Sequence, residues 1–343
     1  MKRIGIDCRF ANFQAGLGRY TRELVTHLLK RDDLIEYTLF VASEKDEWLK
    51  GMTAKNYTLK TISSTHYSLS EQIILPKKIA ASKIDLYFSP HFNVPLRCPV
   101  PFVVTIHDLI LHDYPNQATF FKRCAYKYVM HHSLSRARDV IAVSKFVSRE
   151  LERVYQKGNV TVILEGVHDS FTKRSDEEQV AVRKKHGLQK PFFLYVGNAK
   201  EHKNVQMLID AFSDLQDADT ELVLVVGGPE AAKLCLSNGV RLIKNVSNAD
   251  LPALYSAART FVTASLYEGF GLPIIEAQAC ECPVIAVNAS AIPEVAGSNA
   301  LLVEPTVTAL REAMASPPNA SSLLKEFSWV LAAEKTAQVL VTC

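Results

Sequence analysis

Apolar positions alternate along this chain between two rhythms. Short β-rich runs of about five residues are followed by longer stretches whose apolar residues recur at helical spacing, and that alternation predicts parallel sheets with helical crossovers. Strands are expected at residues 2–6, 36–41, 57–62, 84–88, 101–106, 139–143 and 160–164. A helix is expected at 18–30, where Tyr20, Leu24, Leu28 and Leu29 share one face, and further helices at 118–136 and 145–155. A polar stretch at 169–190 then interrupts the hydrophobic runs, and a second set of strands follows near 192–196, 221–226, 260–264, 283–286 and 300–303. Residues 321–340 read as a closing amphipathic helix. The expected fold is α/β: two doubly wound parallel-sheet domains, 1–165 and 166–322, with 323–343 as a C-terminal helix. Sheets of this kind take ligands at the carboxyl ends of their strands, so a cleft between the two domains is expected.

Composition narrows the class. The chain has 343 residues, 48% hydrophobic and 22% charged, with 14 Gly and 15 Pro, which excludes disorder, collagen and coiled coil. Lysine and arginine total 39 against 36 acids, a net charge of +3, too small to argue for a nucleic-acid partner. Seven scattered cysteines without a C-x-x-C pair give no zinc or thioredoxin-like motif and are expected to be buried, reduced thiols. The N-terminus MKRIGIDCRF has no apolar core of a signal peptide, and no apolar run approaches the roughly 20 residues of a membrane helix. A cytoplasmic protein is expected.

The chemistry concentrates at Tyr267-Glu268-Gly269-Phe270-Gly271-Leu272-Pro273-Ile274-Ile275-Glu276, which follows a strand and opens a helix. Pro273 suits a first helical position, and Gly269 and Gly271 let the backbone approach a ligand. Amides at the helix start favour an anion. Glu268 lies in the turn. Glu276, one helical turn on, is placed to accept hydrogen bonds from the two hydroxyls of a ribose. On their own these acids read equally as a helix cap and a solvated first-turn acid. Together with the glycines, the segment resembles the E-x7-E motif of retaining glycosyltransferase family 4, whose fold is GT-B.

Other segments match that family in order over nearly the whole chain. Gly16-Leu17-Gly18-Arg19-Tyr20 resembles its glycine loop, with amides toward the donor diphosphate. Val104-Thr105-Ile106-His107-Asp108 resembles its His-Asp segment; the resemblance puts His107 beside the transferred sugar and Asp108 in support of the next loop. Ala142-Val143-Ser144-Lys145 resembles a strand-to-helix turn of the first domain, and Glu165-Gly166-Val167 stands where the family usually has Asn-Gly-Val. Gly197-Asn198-Ala199-Lys200-Glu201-His202-Lys203-Asn204 is similar to its cationic loop: Lys203 matches the family lysine, and Lys200 is assigned the part of the companion arginine. Fixed cations there stabilise the charge of a departing diphosphate. Gly227-Gly228-Pro229 resembles a base-side loop, and Phe327-Ser328-Trp329 the start of a helix that returns to the first domain. The chain is read as having no Asp-x-Asp metal motif, so the cations are expected to replace a divalent metal, and no metal or cofactor is expected.

The resemblance implies a retaining hexosyltransferase with Lys203, Glu268, His107 and Lys200 as catalytic residues. Gly16, Gly18, Gly197, Asn198, Gly269, Phe270, Gly271, Leu272 and Glu276 would bind the donor. The loop pattern is most similar to members that use GDP-mannose in bacterial surface polysaccharides, with a glycan or lipid-linked glycan as acceptor. Residues 114–138 hold five basic residues and no acid, with aromatics between. Lys122, Arg123 and Lys127 there are candidates for an acceptor or an anionic membrane surface, with peripheral attachment to its inner face. Other readings stay open: a UDP-hexose donor, a nucleotide-sugar epimerase or phosphorylase on the same fold, or an inactive sugar-nucleotide-binding subunit. A Rossmann dehydrogenase is disfavoured, because Thr21 occupies the third glycine place of G-x-G-x-x-G.

Overall fold

The computed structural model describes residues 2–13, 16–31, 35–50, 52, 54, 56–320 and 326–343. The chain forms two compact units, Met1–Gly166 with Ser328–Cys343, and Val167–Phe327. The expected break between 322 and 323, and the first residues of the expected helix 321–340, fall at 321–325, outside the described residues. The helix itself runs Trp329–Thr342.

The first unit is a parallel sheet of β1 (Lys2–Asp7), β2 (Ile35–Val41), β3 (Tyr57–Thr61), β4 (Leu86–Ser89), β5 (Phe102–Ile106), β6 (Asp139–Ala142) and β7 (Thr161–Val162), in the order β3-β2-β1-β4-β5-β6-β7. The register sets Ile4 opposite Tyr37 on one side and Leu86 on the other. β4 and β5 are buried throughout, which is why they are written as mainly apolar runs, and β1 is buried from Ile4 onward. The order reverses between β1 and β4, and that switch point is where loops diverge at the carboxyl edge and leave room for a ligand. The helix Gly16–Leu29 starts two residues before its expected position and buries Tyr20, Leu24 and Leu28. The last helix packs on it, with the Trp329 ring edge-on to Tyr20 at 5.7 Å.

The second unit holds β8 (Phe192–Asn198), β9 (Glu221–Gly227), β10 (Val240–Ile243), β11 (Thr260–Thr263), β12 (Val284–Val287) and β13 (Leu301–Val303), in the order β10-β9-β8-β11-β12-β13. Its core joins Phe193, Leu222, Leu224, Val262 and Ile285 of the sheet to Leu208, Phe212, Leu310 and Met314 of helices. The switch point lies between β8 and β11. Among the described residues, elements that escape the sequence pattern include β10, a helix at Glu71–Ala81, the short helix Ile110–Asp113 and a helix at Asp176–His186 inside the polar stretch. The cysteine expectation is corrected in part. All seven are free, but Cys8, Cys280 and Cys282 alone are buried, while Cys124 and Cys235 are exposed.

Candidate active site

In the second unit the two strands that flank the switch point, β8 and β11, each end in one of the chemically marked loops. β8 runs to Asn198 because Tyr195 folds back under it: the Tyr195 hydroxyl donates to the Asn198 carbonyl at 2.8 Å. A Cβ on Gly197 would fall 2.8 Å from that hydroxyl, so the residue is a glycine to make room for the ring. The chain then turns through Glu201–Lys203 and leaves by Asn204 in the left-handed region, φ 51°, into the helix Val205–Leu215. Leu266 N–H donates to the His202 carbonyl at 2.8 Å, and the Ser265 hydroxyl bridges the Tyr267 and His202 carbonyls. These bonds bind the β8 loop to the β11 loop.

That stitching brings Lys203 to Glu268: Nζ lies 2.6 Å from Oε1, with both side chains about one-sixth exposed. Ser290 Oγ accepts the Glu268 N–H at 2.8 Å and fixes its backbone. Burial, followed by the nearby charges of Lys203 and Lys200, pushes His202 down to about 3, so it stays neutral between two cations. Lys200 is exposed at the loop's outer edge, its N–H on Asn198 Oδ1.

Gly271, at φ 107°, caps the helix Leu272–Ala279, a conformation that favours glycine. A Cβ there would meet only Ile274 at 3.4 Å, so backbone shape and not space explains this glycine. Pro273 occupies the second helical position, one later than expected. It has no N–H, and the Ile274 N–H returns to the Gly271 carbonyl, so fewer amides face outward than an open helix start would offer. Glu276 is 3% exposed and accepts from the Tyr255 hydroxyl at 3.2 Å, which rules out a solvated first-turn acid. Phe270, expected at the donor, has a buried ring 5.8 Å from that of Phe327. An Asp217-Ala218-Asp219 triplet does occur, but it precedes β9, at the opposite edge of the sheet from these loops. Asp217 there accepts from the Asp219 N–H and faces Arg259.

In the first unit His107 follows β5 beside the switch point. Its Nδ1 lies 3.3 Å from Glu165 Oε1 and its Nε2 2.9 Å from the Pro90 carbonyl, while Tyr20 meets the ring edge-on at 4.5 Å. Asp108 Oδ1 accepts the Ile110 N–H and supports the next turn. Gly16 opens its helix, and Gly18 packs so close to the Phe13 carbonyl that no Cβ fits. The helix Phe120–Arg136 buries Met130, Ser133 and Leu134, leaving Phe120, Phe121, Tyr128, Lys122 and Lys127 exposed; Arg123 sits over the Phe120 ring at 5.9 Å. Sequence reasoning missed Tyr255, Ser265, Ser290 and the role of Glu165, because each acts on a residue at least 21 positions away, and it missed Tyr195, whose local bond to Asn198 depends on the ring folding back under the strand.

Residues 15–171 match the family described as Glycosyltransferase Family 4, and residues 176–334 match Glycosyl transferases group 1. O-antigen chain mannosyltransferase B of Escherichia coli is 28% identical over 323 residues, 84% of this chain and 83% of that one. O-antigen chain mannosyltransferase RfbU of Salmonella typhimurium is 29% identical over 250 residues, 70% of this chain and 66% of that one. Among solved structures, a sucrose-phosphate synthase from Thermosynechococcus elongatus shares the fold, with TM-score 0.75, 22% identity and coverage of 100% of this chain and 99% of that chain.

Proposed function

The chain belongs to the family 4, group 1 glycosyltransferases with the GT-B fold, and from that premise we propose that it moves mannose from GDP-mannose to a hydroxyl of a glycan or lipid-linked glycan, with retention, in surface polysaccharide assembly. The observation that carries the reading is the meeting of Lys203 and Glu268 at the carboxyl edge of the second sheet, one helical turn from Glu276. Glu276 takes the ribose hydroxyls. Lys203 and Lys200 face the diphosphate, whose charge grows as the glycosidic bond breaks, so their fixed charge counts most in the transition state. Glu268 and the Gly269–Gly271 turn hold the sugar. The first unit contributes Gly16, Gly18 and His107.

The reaction proceeds on one face of the sugar. The acceptor oxygen bonds to the anomeric carbon as the bond to phosphate breaks, and the acceptor proton passes to the leaving phosphate oxygen. With two lysines in that place, the step is proposed to run without a divalent metal. Mannose as the sugar follows the two O-antigen relatives, both mannosyltransferases.

Thermal unfolding with GDP, GDP-mannose, UDP-glucose, UDP-N-acetylglucosamine and NAD tests the donor. A ligand at a hundred times its dissociation constant stabilises by about 2.7 kcal/mol. Shifts with GDP and GDP-mannose alone are expected. Shifts confined to the UDP compounds move the donor to a UDP-hexose, and no shift with any nucleotide makes the chain a non-catalytic subunit.

A further inference from the structure

Glu165 stands where the family usually has asparagine, and the structure gives that difference a partner. Its carboxylate, 4% exposed, faces Nδ1 of His107, while Nε2 of the same ring faces the Pro90 carbonyl. A carboxylate and a carbonyl oxygen both accept, so satisfying both contacts requires an N–H at each ring nitrogen. The surroundings hold this geometry in place. Gly166 lies against the Trp329 backbone so closely that a Cβ would overlap it, which fixes the next residue back, Glu165. Tyr20, its hydroxyl on Thr105 Oγ1 at 3.1 Å, closes the flank of the ring.

We propose that Glu165 is a positioning residue that keeps the His107 ring oriented and protonated on both nitrogens, so that His107 serves the reaction as a hydrogen-bond donor and not as a base. The proposal rests on the reading of His107 as part of the transfer site. A doubly protonated ring has no lone pair with which to take the acceptor proton, which agrees with that proton going to the leaving phosphate. Its Nε2–H, held by Pro90, is the one a hydroxyl or phosphate oxygen can take over. An asparagine at 165 orients the ring through one neutral hydrogen bond but brings no charge.

The titratable groups that face the ring agree in sign. Burial lowers the proton affinity of His107, but the Glu165 hydrogen bond and charge, the Pro90 carbonyl and the Asp108 charge outweigh it and hold it above the ordinary histidine value. His91 is pushed well below that value, by burial first and by His107 itself, so it stays neutral and does not compete for the charge. The Tyr20 hydroxyl is pushed up by burial and stays protonated. The stabilisation from the Glu165–His107 pair is therefore complete below the ordinary histidine range and is lost as pH rises through the raised value.

The test is histidine-ring proton–nitrogen NMR of the full chain across neutral pH, with His107 assigned by its loss in His107→Asn. Glu165→Gln keeps the shape and Glu165→Asn installs the family residue. Circular dichroism checks that each is folded, and either one suffices. The wild-type ring is expected to titrate above the free histidine value, and the variants lower by about one unit or more, a tenfold loss of proton affinity. The alkaline fall of kcat should move to lower pH by the same amount, with donor binding at acidic pH unchanged. A His107 ring that titrates alike in all three proteins overturns the proposal, as does a singly protonated ring at neutral pH in the wild type. The NMR readout needs neither donor nor turnover. A failed donor screen beside a shifted His107 therefore strikes the transfer role alone, and the reverse result strikes Glu165 alone.

Discussion

Lys203 and Glu268 come from loops 65 positions apart, yet the lysine ammonium sits 2.6 Å from the carboxylate because Leu266 and Ser265 bind their loop to the His202 carbonyl. The carboxylate holds a flexible side chain at the edge of the site and limits the rotamers it must give up when a diphosphate arrives.

Lys203→Ala is therefore expected to lower kcat by about 10²–10³-fold, the usual effect of removing one fixed donor to a developing anion, while donor affinity changes little. Steady-state kinetics with the donor that stabilises the protein measures it. Unchanged turnover removes Lys203 from the mechanism.

Glu276→Ala should act in the opposite compartment of the kinetics. A carboxylate that accepts two ribose hydroxyls contributes about 1.5–3 kcal/mol per charged hydrogen bond, so the donor dissociation constant should rise at least about tenfold. Tyr255→Phe, which only loosens Glu276, should give a smaller rise. Calorimetric titration separates the two, and undiminished affinity in Glu276→Ala contradicts ribose contact.

Three glycines should respond differently to one added methyl. At Gly18 the methyl overlaps the Phe13 carbonyl, so the first unit must shift, at the upper end of about 1–3 kcal/mol. At Gly271 there is space, but φ 107° strains an alanine by about 1–3 kcal/mol. At Gly227 nothing lies within 4 Å and no left-handed φ is required, so alanine should be tolerated. Unfolding midpoints should fall most in Gly18→Ala, less in Gly271→Ala and not at all in Gly227→Ala.

The exposed Phe120, Phe121 and Tyr128, among Lys122, Arg123 and Lys127, predict binding to anionic vesicles that salt reverses. Sedimentation with phosphatidylglycerol vesicles measures it. Replacing Lys122 and Lys127 by glutamate should abolish pelleting, and full recovery in the supernatant at low salt by the unaltered protein rejects the surface.

The sheets were legible because most of their strands are buried on both faces and appear as apolar runs; β8 and β5 are plain examples. β10 is not. It is an edge strand of four half-buried residues, Val-Arg-Leu-Ile, whose arginine breaks the run. The helix Glu71–Ala81 carries Pro76 within it, which argues locally against a helix, and packing overrides that preference. The polar helix Asp176–His186 buries Val182 alone, but its ends were readable: Ser175 and Glu178 form a capping box, and Gly187 ends it at φ 67°. In the site, the E-x7-E spacing and the lysines could be read because each motif is local. The Phe270 ring and the Glu165 carboxylate could not, since their roles are set by Phe327 and His107.

The first unit is written in two pieces, one made before the second unit and the other, Ser328–Cys343, only after it. Synthesis therefore yields the second unit whole before the first can be completed, although domains otherwise tend to finish in the order they emerge. Until Trp329 reaches Tyr20, the apolar face of the Gly16–Leu29 helix on which the last helix packs stays open to solvent and to chaperones. A chain truncated by a late stop codon would carry an intact second half beside a first half that never closes, and the cell would meet it as a substrate for proteolysis.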